Sequence, residues 1–214
     1  DSGYISIGDE DISNISLKQL RSNIGYVSQD PFLFEGSVKD NIVYGSNNAS
    51  DKDIKQASKM AEAHNFIQSL PEKYDTIVGE RGVKLSGGQR QRIAIARSVI
   101  DDPNMMILDE ATSDVDTKTE LLIQKSLNKL TQDITTIVIA HRLSTVKNAD
   151  KIIVIEDGQV TEKGDHNELI EKDGLYADLW RVQSGDIEKV SEEFVKKASS
   201  DDIDKIDNLN PDEQ

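Results

Sequence analysis

With 214 residues, the chain has room for one large domain or two small ones around a substantial buried core. Its hydrophobic residues, 36% of the total, include no uninterrupted apolar run near the roughly 20 that a membrane-crossing helix requires; a soluble chain is expected, linked to a membrane only through a partner or another segment. Zero cysteines exclude disulfides and cysteine-ligated zinc, and a formal charge of -15 argues against a nucleic-acid binder, which needs clustered Lys and Arg.

The start, Asp1-Ser2-Gly3-Tyr4, lacks the basic and then apolar pattern of a signal peptide. Tyr4-Ile5-Ser6-Ile7-Gly8-Asp9 reads as a short alternating strand and a turn, and Ser16-Leu17-Lys18-Gln19-Leu20 as helical. Ile24 to Gln29 reads as a strand ending in the turn signal Asp30-Pro31. From Ser37, an N-cap before Val38, to about Ala96 the spacing is mostly helical, interrupted at Asn47-Asn48 and Pro71, and predicts an inserted helical region. Helix and strand then alternate: Arg90 to Ile100 helical, Met105 to Leu108 strand, Thr117 to Leu130 helical, Ile134 to Ala140 strand. That order implies an α/β fold with parallel strands and crossover helices. Lys151 to Glu162 reads as a hairpin turning at Asp157-Gly158, and Asn167 to Val182 as a last helix. Residues 184–214 carry ten acids against four lysines, a net of -6 that leaves -9 for the rest, and read as an acidic, disordered tail. The remaining acidity is that of an ordinary solvated surface, with a salty cytoplasm as the alternative.

Three places carry chemistry. Met105-Met106-Ile107-Leu108-Asp109-Glu110 closes an apolar run on two acids, which puts both carboxylates at the carboxyl end of a buried parallel strand, the edge where open α/β sheets bind ligands. One acid there can hold Mg²⁺ while the next positions or deprotonates an attacking water; the same pattern also describes a strand meeting a turn. His141 ends a second apolar run, Thr136 to Ala140, and should emerge at the same edge, where a ring N–H can meet a phosphate or serve a structural bond. Leu85-Ser86-Gly87-Gly88-Gln89 sets two glycines and a serine before a helix, so that free N–H groups of the first turn make an anion site. Arg90, Arg92 and Arg97 read as the polar outer face of that helix, since Ile93, Ala96 and Ile100 share helical spacing. His166 with Glu168 reads as a capped helix start rather than a metal pair, and His64 has no evident ligand partner.

Together these motifs resemble the nucleotide-binding domain of ATP-binding cassette (ABC) transporters, over residues 1–183. Leu85 to Gln89 matches the family signature, Met105 to Glu110 resembles the Walker B strand, Gln29 the Q-loop glutamine, Ser113 to Asp116 the D-loop and His141 the switch histidine. Asp40 to Gly45, Val78 to Gly82 and His141 to Val146 resemble the exporter branch, which includes multidrug and lipid exporters. The resemblance implies a P-loop NTPase-like parallel sheet with a helical subdomain at about 37–96 and a small antiparallel β part at the N-terminus. It implies ATP and Mg²⁺ as ligands: Glu110 as catalytic base, Asp109 and Gln29 at the metal, His141 at the γ-phosphate. Ser86, Gly87, Gly88, Gln89 and Asp116 would face a second cassette in a head-to-tail dimer. Gln29 and the stretch near Glu80 would transmit closure to a transmembrane domain, the only membrane contact, at the cytoplasmic face of the plasma membrane.

Two departures qualify the resemblance. Asp114 stands in the D-loop stretch, Ser113 to Asp116, where the family carries a small apolar residue. No Gly-x-x-x-x-Gly-Lys-Ser/Thr occurs, and none of the 13 glycines is followed by lysine. In the family this phosphate cradle precedes the position matched by Asp1, as does an aromatic residue that stacks on adenine. The chain alone is therefore expected to bind Mg-ATP weakly and hydrolyse none. The alternatives are a non-hydrolysing component that completes a partner's ATP site, or a soluble ABC ATPase outside transport.

Overall fold

A computed structural model describes residues 3–46, 48–79, 83–109, 117–140, 142–192 and 194–195. Glu80 to Gly82, Glu110, Ser113 to Asp116, His141 and residues 196–214 lie outside the described residues, and with them the expectations placed on those positions. The chain divides into two compact units, Asp1–Ile139 and Ala140–Gln214.

The first unit opens with β1 (Ser6–Ile7) and β2 (Glu10–Asp11), an antiparallel pair. The turn between them needs Gly8, whose φ of 62° is open to glycine at no steric cost. α1 (Leu17–Ser22) begins at Ser16, whose hydroxyl accepts from the Gln19 N–H at 3.3 Å, and leads into β3 (Ile24–Val27).

The stretch with helical spacing divides into α2 (Val38–Ile42), α3 (Asp51–Met60), α4 (His64–Gln68) and α5 (Gly87–Val99). Antiparallel β4 (Gly36–Ser37) and β5 (Ile77–Val78) close the segment that holds α2 to α4, pairing Ser37 with Ile77. Serines start three of these helices. Ser37, Ser50 and Ser86 each cap the helix behind them, and Asp40, Asp53 and Gln89 return the bond in full capping boxes. Inside, Val38, Ile42, Ile54, Ile67, Ile93 and Ile95 are buried in one core with the strands.

That core backs a parallel sheet. β6 (Met105–Asp109), α6 (Thr117–Leu130) and β7 (Thr135–Ile139) complete the unit, and the strands stand in the order β3-β6-β7. Register pairs Val27 with Leu108 and Leu108 with Val138, so alternate rows point to opposite faces. On one face Gly25, Val27, Met106 and Leu108 of β3 and β6 are buried, while Val138 of β7 in the same row is 39% exposed. α5 lies so close there that a Cβ on Gly25 would meet the Ser98 carbonyl oxygen at 2.5 Å. On the other face, Tyr26, Ile137 and Ile139 are 56%, 49% and 50% exposed.

The second unit has its own core of Ile152, Leu169 and Tyr176. β8 (Ile152–Glu156) and β9 (Gln159–Gly164) form the expected hairpin, with both turn residues, Asp157 and Gly158, at positive φ (50° and 74°). The last helical stretch is two helices, α7 (His166–Glu171) and α8 (Leu175–Ser184). Asp173 at φ 57° and Gly174 turn the chain between them, a break that helical spacing alone does not reveal. Asp165 caps α7, while His166 Nδ1 bonds the Tyr176 hydroxyl at 2.9 Å. Burial and the Lys147 ammonium hold His166 below its ordinary value, which suits a neutral ring accepting that proton.

Candidate functional site

Three parallel strands end at one edge of the sheet. Asp109 is the last residue of β6, half-buried and paired with Ile139, the last residue of β7. Gln29 follows β3 by two residues at the same edge and is exposed. Among the described residues the site is thus an acid and an amide where the strands deliver them. Both are hard oxygen donors, the kind that together with phosphate oxygens and water suit Mg²⁺.

A second feature lies at the head of α5. The Ser86 hydroxyl accepts from the Gln89 N–H at 3.3 Å, and the Gln89 side-chain oxygen accepts from the Ser86 N–H at 3.0 Å. This box uses two donors; among the described residues the N–H groups of half-buried Gly87 and buried Gly88 have no partner in the first turn. With no side chain on either glycine, an anion can approach those N–H groups closely, and the positive end of the helix dipole favours it. Leu85, just ahead, is buried, and its carbonyl accepts from Arg90 Nη1 at 2.9 Å, which fixes the entry of the chain into the helix.

The arginines of α5 differ from the solvated face that their spacing predicts. Arg92 donates to the carbonyls of Gly88 (3.1 Å) and Glu62 (2.9 Å) and sits 4.6 Å above the Phe66 ring. Arg97 donates to the carbonyls of Asn41 (2.7 Å) and Phe32 (3.0 Å) and to Asn41 Oδ1 (2.9 Å). Long stems let a guanidinium lie flat along apolar surface while its donors reach loop carbonyls, a possibility that helical periodicity does not encode. His64 likewise has a structural partner, the Tyr74 hydroxyl at 2.8 Å.

Residues 1–113, more than half of the chain, match the family model described as ABC transporter. The chain belongs to the ABC transporter family. Relatives and solved structures to which it is similar include proteins named as exporters. It is 51% identical over 183 residues to a putative multidrug export ATP-binding/permease protein of Staphylococcus aureus, covering 86% of this chain and 32% of that protein. It is 48% identical over 190 residues to an uncharacterised ABC transporter ATP-binding protein, YknU, of Bacillus subtilis, covering 89% of this chain and 32% of the relative. A solved structure of a bacterial Atm1-family ABC exporter with ATP bound superposes with a TM-score of 0.80 at 44% identity, covering 86% of this chain and 32% of that one. The chain therefore spans about a third of these relatives' length. No helix among its described residues is long and apolar enough to cross a membrane. Gln29, Ser86 to Gln89, Asp109 and Glu110 lie within the matched span. The family binds ATP, and the mixed α/β fold with its parallel sheet is an ABC ATPase fold.

Proposed function

We propose that this chain is the ATP-hydrolysing portion of an exporter, in which two cassettes close head to tail around two ATP molecules and thereby move the helices of a transmembrane domain. The ATPase domain in this reading is residues 1–183, with the helical subdomain at 37–96, at the cytoplasmic face of the plasma membrane. One observation carries it: the capped head of α5, where Ser86 and Gln89 hold each other and the Gly87 and Gly88 N–H groups have no partner among the described residues.

In this reading Asp109 and Gln29 hold Mg²⁺, which when bound neutralises phosphate charge. Glu110 takes the proton of the attacking water, and His141 donates a ring N–H to the terminal phosphate. Ser86, Gly87, Gly88, Gln89 and Asp116 serve the ATP of the second cassette. The open face of the sheet supports a division of labour along the polypeptide. Tyr26, Ile137 and Ile139 are exposed where parallel sheets are otherwise covered on both faces, and β7 is the outer strand among the described residues. A further strand and helix packed there would bring the Gly-Lys phosphate cradle that this sequence lacks.

The test uses the longer polypeptide that carries the permease portion. Glu110→Gln should lower kcat by about 10²- to 10⁴-fold, the worth of a general base, while ATP-bound cassette dimers accumulate. Unchanged turnover would refute the role of Glu110.

A further inference from the structure

In the second unit, the turn that follows His141 takes its cap from α8. Leu143–Thr145 is a single 3₁₀ turn, and Arg142, the residue before it, supplies no side-chain bond to its first N–H groups. The Leu143 N–H instead donates to the Gln183 side-chain oxygen at 2.8 Å, across 40 residues of sequence. Beyond that bond the turn closes on itself. The Thr145 N–H and hydroxyl both donate to the Arg142 carbonyl, at 3.1 and 2.6 Å, and the Val146 N–H donates to that of Leu143 at 3.1 Å. The Leu143 side chain packs on the core of Ile152, Leu169 and Tyr176, and Lys147 Nζ lies 5.4 Å from the ring centroid of Trp180 on α8.

Gln183 itself stands on a fixed helix end. α8 finishes at Gly185, whose φ of 83° lets its N–H bond the Val182 carbonyl at 3.3 Å while the Asp186 N–H bonds that of Arg181 at 2.9 Å, the paired bonds that close a helix on glycine. The Arg181 side chain ties the same turn back to Asp178 (3.1 Å) and Asp173. What Gln183 holds is a backbone N–H, so it fixes the course of the chain two residues after His141.

We infer that Gln183 is a positioning residue for ATP hydrolysis, holding the Leu143 backbone and through it the aim of His141. This rests on the reading of His141 as a donor to the terminal phosphate. Such a donor stabilises developing charge only if its direction is set beforehand, whereas ATP binding draws on other contacts, so loss of the Gln183 bond falls on kcat more than on KM.

The experiment compares Gln183→Leu, which keeps the volume and loses the acceptor, with Gln183→Glu, which keeps an acceptor oxygen, in the longer polypeptide that carries the permease portion. In Gln183→Leu protein of unchanged circular dichroism, hydrogen exchange read by mass spectrometry should be about two- to tenfold faster at Leu143, the worth of one hydrogen bond facing solvent. Single-turnover ATP hydrolysis should slow by a similar factor, with the KM for ATP within about twofold. Gln183→Glu should restore most of both. On a His141→Ala background, Gln183→Leu should slow hydrolysis no further, because the two residues act as one unit. Should Gln183→Leu fold poorly, Gln183→Asn, one methylene too short to reach Leu143, makes the same comparison. Unchanged exchange at Leu143 would overturn the anchor; an undiminished rate, or an equal loss on both backgrounds, would overturn its part in hydrolysis. A His141→Ala protein as fast as the unsubstituted one would instead count against the reading of His141.

Discussion

The two faces of the parallel sheet carry similar residues and have different fates. Val27, Met106 and Leu108 are buried against α5 and the helical region, whereas Tyr26 on β3 and Ile137 and Ile139 on β7 are exposed; on β6 the contrast is smaller, Ile107 being half-buried, and Val138 of β7, in the row of Val27 and Leu108, is also exposed. Strands apolar on both sides are the mark of a sheet with two covering layers. In the proposed cassette reading, a layer and a neighbouring strand would cover the exposed face of β3 and β7. Register also places Asp109 beside Ile139, on the same face as the row of Tyr26, Ile107 and Ile137.

Substitutions can break or sharpen this contrast. Met106→Ala, on the covered face, should cost about 2–5 kcal/mol by urea unfolding, since it empties a fully buried site. Gly25→Ala should cost about 1–3 kcal/mol by the same measurement, because the new methyl must push the α5 backbone off the sheet. Ser86→Ala should cost about 1 kcal/mol, losing the cap of α5 while Gly25 and its contact stay intact. On the open face, Ile137→Thr should stay within about 0.5 kcal/mol in the 214-residue chain. In a polypeptide that carries the proposed further strand and layer it should cost more, because that side chain would be buried there. An equal cost in both would erase the distinction between the faces.

The second unit supplies an internal control. Trp180, the one tryptophan in the sequence, stands 4.5 Å from His166. Burial and Lys147 hold the His166 pKa below its ordinary value of 6.5, while Asp165 acts in the opposite sense. The unfolded chain therefore binds the proton more readily, and stability gained from neutral His166 is present above about pH 6.5 and declines as pH falls toward the lower folded value. Trp180 fluorescence should follow that acid transition and lose it in His166→Gln.

Much of this was legible in the residues because it depends on local chemistry. Ser16, Ser37 and Ser86 announce helix starts, Asp157-Gly158 a hairpin, and an apolar run closing on Asp109 a strand end. What periodicity does not carry is direction over distance. Arg97 reaches a loop 65 residues away in sequence to hold Phe32, and Arg92 one 30 residues away at Glu62. The exposure of Ile137 and Ile139 was equally hidden, because an apolar strand reads as buried whichever elements are present to bury it. The Asp173 turn between α7 and α8 escaped for the opposite reason: apolar spacing continues across it, and only the Asp-Gly pair marks the break.

The central claim is that the 214-residue chain folds its covered core and its capped signature helix but does not by itself assemble an ATP site. Calorimetric titration of the purified chain with Mg-ATP tests it most directly. No heat of binding at micromolar nucleotide is predicted; micromolar affinity, or ATP turnover that Glu110→Gln abolishes, would contradict the account.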